Sequence, residues 1–255
     1  MDTIRARAAA VTGARHLRMA RNGQDAAAVW AGEGTAAVVV CDGCGSGESS
    51  EVGARVGARL FARALGARLG PEVGTDDASA PFRPRAGESL EDAFAAARAD
   101  VARVLEELLE RMPGDRCELV REMFLFTIVA AAVRGGEAGV WALGDGAWSL
   151  DGVTSALGPF TDNQPPYLAY DLVGTPAPAR FERTAARSIV IATDGADALD
   201  LAAFASDRFV DHPDALRREL SVLARSNERI EWSECRVACT LAALQDDCAI
   251  GVVLR

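Results

Sequence analysis

Histidine is scarce in this chain: only His16 and His212 occur in 255 residues, too few for a zinc site built on imidazole. Six cysteines, at 41, 44, 117, 235, 239 and 248, show neither the paired spacing of a zinc ribbon nor the density of a disulfide-stapled domain. Cys41 and Cys44 form a C-x-x-C, but Asp42 and Gly43 lie inside it and no second pair follows, so reduced thiols are the simpler reading. No segment offers the ~18 continuous apolar residues of a membrane span, and Met1 to Val11 lacks the apolar core of a secretion signal. A soluble, cytoplasmic protein without a membrane partner is expected. Basic residues are outnumbered, 27 against 37 acidic ones, and the net charge of -10 opposes binding to nucleic-acid phosphates. No nucleic-acid partner is expected.

What the chain does have is apolar content, 49%, enough for one full core, and a single domain over residues 1–255 is the default. Thr35 to Cys41 is a β-branched apolar run that predicts a buried strand with Asp42 at its tip. From Ser49 to Gly70 apolar residues recur every four positions, with Arg55, Arg59, Arg63 and Arg68 between them, which predicts an amphipathic helix. Residues 71–87 read as a flexible loop, and Leu90 to Met112 as a second helix stopped by Pro113-Gly114. Met123 to Val133, Ala138 to Leu143 and Ala147 to Leu150 predict three strands of an antiparallel meander, turned by Gly135-Gly136 and Gly144-Asp145-Gly146. Ser188 to Thr193 predicts a strand ending at Asp194-Gly195, Asp214 to Arg229 a helix, and Ala249 to Leu254 a closing strand. The four tryptophans are expected in core or sheet-edge positions.

Three times, then, a strand meets aspartate: at Asp42-Gly43, at Asp194-Gly195 and at Asp246-Asp247. Carboxylates on strand tips can converge, and Mg²⁺ and Mn²⁺ prefer such oxygen ligands. Asp-Gly is also ordinary turn chemistry, and any one pair alone reads that way more readily than as a metal ligand. In order and context, however, the motifs resemble those of the PPM (type 2C) metal-dependent phosphatases of bacteria. RHLRMARNGQDAAAVW, VVVCDGCGSGESSEVGARVGARL, Phe126 to Leu150 with GDGAW, SIVIATDGADAL and DDCAIGVVL carry the resemblance, which runs from about Gly13 to Val253.

That resemblance implies an α+β fold, a four-layer α-β-β-α sandwich of two antiparallel sheets flanked by helices. It implies hydrolysis of phosphoserine or phosphothreonine in proteins by a water bridging two Mn²⁺ or Mg²⁺ ions, with a protein kinase or its target as partner. Asp42 would bridge the two metals, the Gly43 carbonyl and Gln24 would add oxygens, and Asp194 and Asp246 would hold one ion. Asp145 with Asp194 would form a third, weaker site, and Asp25 would orient the water. Asp247 stands where the family has Asn and ranks below Asp246 as a ligand. The family's phosphate-binding arginine position holds Ala20, so Arg18 or Arg21 would substitute. Gln24 replaces a glutamate found in many members, so Gln24→Glu should tighten Mn²⁺ binding. His16 is a candidate general acid, or a structural histidine. The segment about 158–178 would form a flap beside the cleft. Two other readings remain: a catalytically silent binding or regulatory module, motivated by Gln24 and the displaced arginine, and a phosphatase of small metabolites.

Overall fold

The computed structural model describes residues 4–70 and 87–255, so most of the loop expected at 71–87 lies outside the described residues. β1 (Arg5–Val11), β2 (Ala26–Gly32) and β3 (Thr35–Cys41) open the fold, with a one-turn helix α1 (Ala14–Arg18) between the first two. α2 (Ser50–Leu69), α3 (Leu90–Leu109) and α4 (Arg116–Met123) follow. Next come β4 (Ile128–Arg134), β5 (Glu137–Leu143), β6 (Gly146–Leu150), β7 (Val153–Leu157), β8 (Arg180–Thr184) and β9 (Ser188–Ala192). α5 (Asp207–Asp211), α6 (Ala215–Leu223), β10 (Asn227–Glu231), β11 (Arg236–Thr240) and β12 (Cys248–Leu254) complete it.

The strands form two five-stranded antiparallel sheets, ordered β1-β12-β9-β6-β7 and β2-β3-β4-β5-β8, and a separate β10-β11 hairpin. Val38, Val40, Val129, Ile189, Ile191 and Val253 fill the space between the sheets. α2 and α3 cover the outer face of one sheet through Phe61, Leu65, Phe94 and Leu105. α5 and α6 cover the other through Phe209, Leu216 and Leu220. The four-layer α-β-β-α sandwich is therefore the observed architecture. Because both faces are covered, β3 and β12 are buried along their whole length, and their sequences show unbroken apolar runs rather than alternation.

Four expectations need correction. The Gly144-Asp145-Gly146 turn does not fold β6 back beside β5. It carries the chain to the other sheet, where β6 pairs with β9 and β7. Gly144 (φ +101) and Gly146 (φ +119) take backbone conformations closed to other residues, which lets the chain leave its sheet within one turn. Second, Met123 to Leu125 are not strand. α4 ends at Met123, and its start is capped by Asp115, whose carboxylate accepts the Glu118 N–H at 3.0 Å. Third, the helix expected over Asp214 to Arg229 stops at Leu223, and Asn227 onward forms the hairpin. Last, Trp232 is no core residue: it sits in that hairpin's connection, 80% exposed.

Candidate metal centre

Strand ends assemble the site. Cys41, the last residue of β3, pairs with Ala26, so Asp42 emerges beside Asp25. Ile250 pairs with Ala192, which sets Asp194 after β9 next to Asp246 and Asp247 before β12. The crossover between sheets delivers Asp145. Carboxylate oxygens of Asp42, Asp145 and Asp194 come within 4.8 Å of one another, and a second such group joins His16, Asp246 and Asp247. The Gly43 carbonyl accepts no hydrogen bond among the described residues, whereas the Asp42 carbonyl is taken by the Thr127 N–H at 2.9 Å.

Burial and crowding raise the proton affinity of these carboxyls. Asp25 is pushed up to about 8, chiefly by burial, although Thr193 Oγ1 donates to its Oδ2 at 2.6 Å. Asp42, hydrogen-bonded to Asp25, is raised by burial and then by the charges of Asp25 and Asp194. Asp194 is pushed up to about 6 by burial, then by Asp145, Asp197 and Asp246. Asp197 is an acidic neighbour that the sequence motifs did not single out. Burial also raises Asp145, whose Oδ1 is buried without a hydrogen-bond partner among the described residues. Crowded hard-oxygen donors and one orphaned carboxylate oxygen fit a divalent cation, which would offset the repulsion.

Asp25 and Asp194 hold protons in the fold that they release at ordinary values of 3.8 when unfolded. Their contribution is therefore complete below pH 3.8 and is lost as pH rises toward about 6 for Asp194 and about 8 for Asp25. In EDTA the melting temperature should fall between pH 5 and pH 8, and Mn²⁺ at pH 8 should restore it. A flat profile in EDTA would contradict the crowding.

Asp247 is engaged by the backbone and by His16. Its Oδ1 accepts the Gly13 N–H at 2.8 Å, and its Oδ2 accepts the Gln24 N–H at 2.6 Å and contacts His16 Nδ1 at 2.8 Å. It pins the segment from Gly13 to Gln24 against the start of β12. Gln24 directs Nε2 to Ser50 Oγ at 2.6 Å and to the Cys44 and Gly47 carbonyls, both at 3.3 Å. The reverse amide orientation would face oxygen to two carbonyls, so the nitrogen belongs there. Gln24→Glu thus loses buried donors in exchange for its added charge, which counters the tightening expected from sequence. The metal-free variant should unfold about 1–3 kcal/mol more easily in urea. Unchanged stability would show that these bonds contribute nothing.

A cavity of about 310 Å³ is lined by Arg15, His16 and Arg21 on one side and by Asp42, Asp194 and Asp246 on the other. Arg21 borders it while donating to the Gly47 carbonyl at 2.9 Å. Arg18 does not line it and reaches Gln245 Oε1 at 3.3 Å instead. Arg15, which sequence reading passed over, does line it, because the turn after Gly13 is docked on residues 244–245 through the Ala14 and Arg15 N–H groups. A larger cavity of about 500 Å³ adjoins Asp42, Asp145 and Asp194 and is walled by the segment carrying Asp162, Tyr167 and Tyr170.

Residues 12–242 match the family model described as Protein phosphatase 2C. Among solved structures the chain is similar to PppA, a key regulatory component of T6SS in Pseudomonas aeruginosa, at 16% identity. That match covers 99% of this chain and 98% of that one, with a TM-score of 0.58. The serine/threonine phosphatase Stp1 from Staphylococcus aureus aligns at 12% identity over 100% and 96% of the two chains, also with a TM-score of 0.58. The serine/threonine phosphatase of S. agalactiae aligns at 12% over 98% and 99%, with a TM-score of 0.57. No curated protein matches. Among the described residues, no helix is long and apolar enough to cross a membrane.

Proposed function

The chain belongs to the protein phosphatase 2C family, and on that premise we propose that it hydrolyses phosphoserine and phosphothreonine in proteins with the aid of Mn²⁺ or Mg²⁺. The observation that carries this reading is the convergence of Asp42, Asp145 and Asp194, with one oxygen of Asp145 buried and unpartnered among the described residues. Asp42, the Gly43 carbonyl, Asp194 and Asp246 would hold two cations, with Gln24 Oε1 as a neutral donor and Asp145 with Asp194 as a third, weaker site. Bound cations supply positive charge that draws phosphoryl oxygens and acidifies water. Asp25, held by Thr193 and hydrogen-bonded to Asp42, would orient the attacking water and, once bound cations have displaced its own proton, accept the proton that water releases. Arg15 and Arg21 face the phosphate from the opposite wall. The expected setting is the cytoplasm, with a kinase or its target as partner.

A regulatory module that binds phosphoprotein without turnover is the second reading. It is favoured by the engagement of Gln24 with the 44–50 segment and by Ala20 at the family's arginine position. Phosphate release from a phosphothreonine peptide separates the two. Hydrolysis is expected with Mn²⁺ and none with EDTA, whereas peptide binding without release in Mn²⁺ would favour the regulatory reading.

A further inference from the structure

The two cavities meet at Asp42 and Asp194 but differ in charge. Among the described residues, arginines line only the smaller one, Arg15 and Arg21. The larger has no described arginine, and its outer wall is Asp162, Asn163 and Gln164 with Tyr167 and Tyr170. Asp162 and Asn163 take left-handed backbone conformations, φ +54 each, which Asp and Asn tolerate better than other side chains. Asp162 is exposed and pairs with no cation among the described residues. Tyr167 and Tyr170 stand edge to face, ring centres 5.7 Å apart. Tyr167 is buried and lines the cavity together with Cys44 of the loop that follows Asp42-Gly43. Tyr170 is half-buried and borders the cavity.

The two cavities share Asp42, Gly45, Asn163 and Asp194, so a phosphoresidue seated at the aspartates with its phosphate toward Arg15 and Arg21 would bring neighbouring peptide against the tyrosine wall. There it meets an unpaired carboxylate and an aromatic face, the two features that attract a guanidinium or ammonium group. We propose that this wall selects phosphopeptides with arginine or lysine beside the phosphoresidue, with Asp162 and Tyr170 determining the choice. The inference rests on the phosphatase reading for the seating of the phosphate. Overall net charge of -10 adds a long-range attraction of the same sign.

Two phosphothreonine peptides, identical except for flanking arginines or flanking glutamates, provide the test, with p-nitrophenyl phosphate as a substrate lacking flanks. Turnover in Mn²⁺ and peptide binding by fluorescence anisotropy are measured together. The arginine peptide should be preferred about tenfold in kcat/KM and in affinity at low salt, since both an ion pair and a cation–aromatic contact change sign or disappear in the glutamate peptide. Asp162→Lys should reduce that ratio to about twofold or invert it, and Asp162→Asn and Tyr170→Leu should each lower it. Equal handling of the two peptides by a protein that hydrolyses p-nitrophenyl phosphate would overturn the proposal and leave the phosphatase reading standing. So would a preference unchanged by Asp162→Lys. A protein that hydrolyses nothing yet binds the arginine peptide preferentially, through Asp162, would overturn the catalytic reading and support the wall's selectivity. Inactivity without any binding preference would overturn both.

Discussion

Asp42→Asn is expected to reduce Mn²⁺-dependent phosphate release by more than about a hundredfold, the scale reached even by groups that only support a metal ligand. The same substitution should leave the metal-free protein as stable as wild type, or more so. Asp42 is crowded by Asp25, Asp194 and Asp145, all of which raise its proton affinity, so its charge opposes folding when no cation is present. Asparagine retains the volume and can donate to Asp25, which removes repulsion without opening a cavity. Activity and melting temperature in EDTA should therefore move independently. Retained turnover in a folded variant would remove Asp42 from the centre. A marked loss of stability in EDTA would instead make the residue a turn former, as Asp-Gly chemistry alone allows.

Gly195→Ala should be nearly as damaging for a different reason. The backbone at 195 does not need a left-handed conformation, but a methyl group there would overlap the carbonyl oxygen of Asp247. Neither side yields easily. The Thr193 N–H donates to the Ala249 carbonyl at 3.1 Å, and the Ala249 N–H donates to Thr193 Oγ1 at 2.9 Å, locking the two strand ends. Relief must come from moving Asp194 away from Asp246, so activity and metal affinity should fall together, with about 3 kcal/mol lost in stability. Gly34→Ala supplies the contrast. Gly34 has φ +67 and open space around it, so that variant pays only a backbone cost of about 1 kcal/mol and should keep full activity. Urea titration and phosphate release on both variants check the prediction, and an active, stable Gly195→Ala protein would refute the close approach.

Much of the centre was legible because its signals are local. An unbroken apolar run followed by Asp-Gly states a buried strand and its exposed end within about ten residues, and β3 and β9 with Asp42 and Asp194 follow that form. Long helices were equally plain: α3 repeats apolar residues over its full length and buries Leu90, Phe94, Val101 and Leu105. What escaped depends on contacts distant in sequence. The turn carrying Asp145 has the residues of a hairpin, and only the pairing of β6 with β9 shows that it joins two sheets. Asp247 and Arg15 gain their places because residues 13–24 dock on the chain 220 or more positions later, as with the Gln24 N–H on Asp247. β1 escaped because its alternation of arginine and alanine is weakly apolar, although its register with β12 runs its full length. β10 and β11 are mostly exposed and gave no periodic signal to set against the preceding helix.

Titration of Mn²⁺ into the metal-free protein by calorimetry tests the central claim, that the strand-end aspartates form a divalent cation site. Wild type should bind Mn²⁺ with release of protons at pH 7, because Asp25 carries a proton below about 8 that a cation beside Asp42 expels. The heat should accordingly depend on the ionisation enthalpy of the buffer, and Asp42→Asn should abolish the tightest binding. Absence of Mn²⁺ binding by folded wild-type protein, or binding that Asp42→Asn leaves intact, would contradict the account.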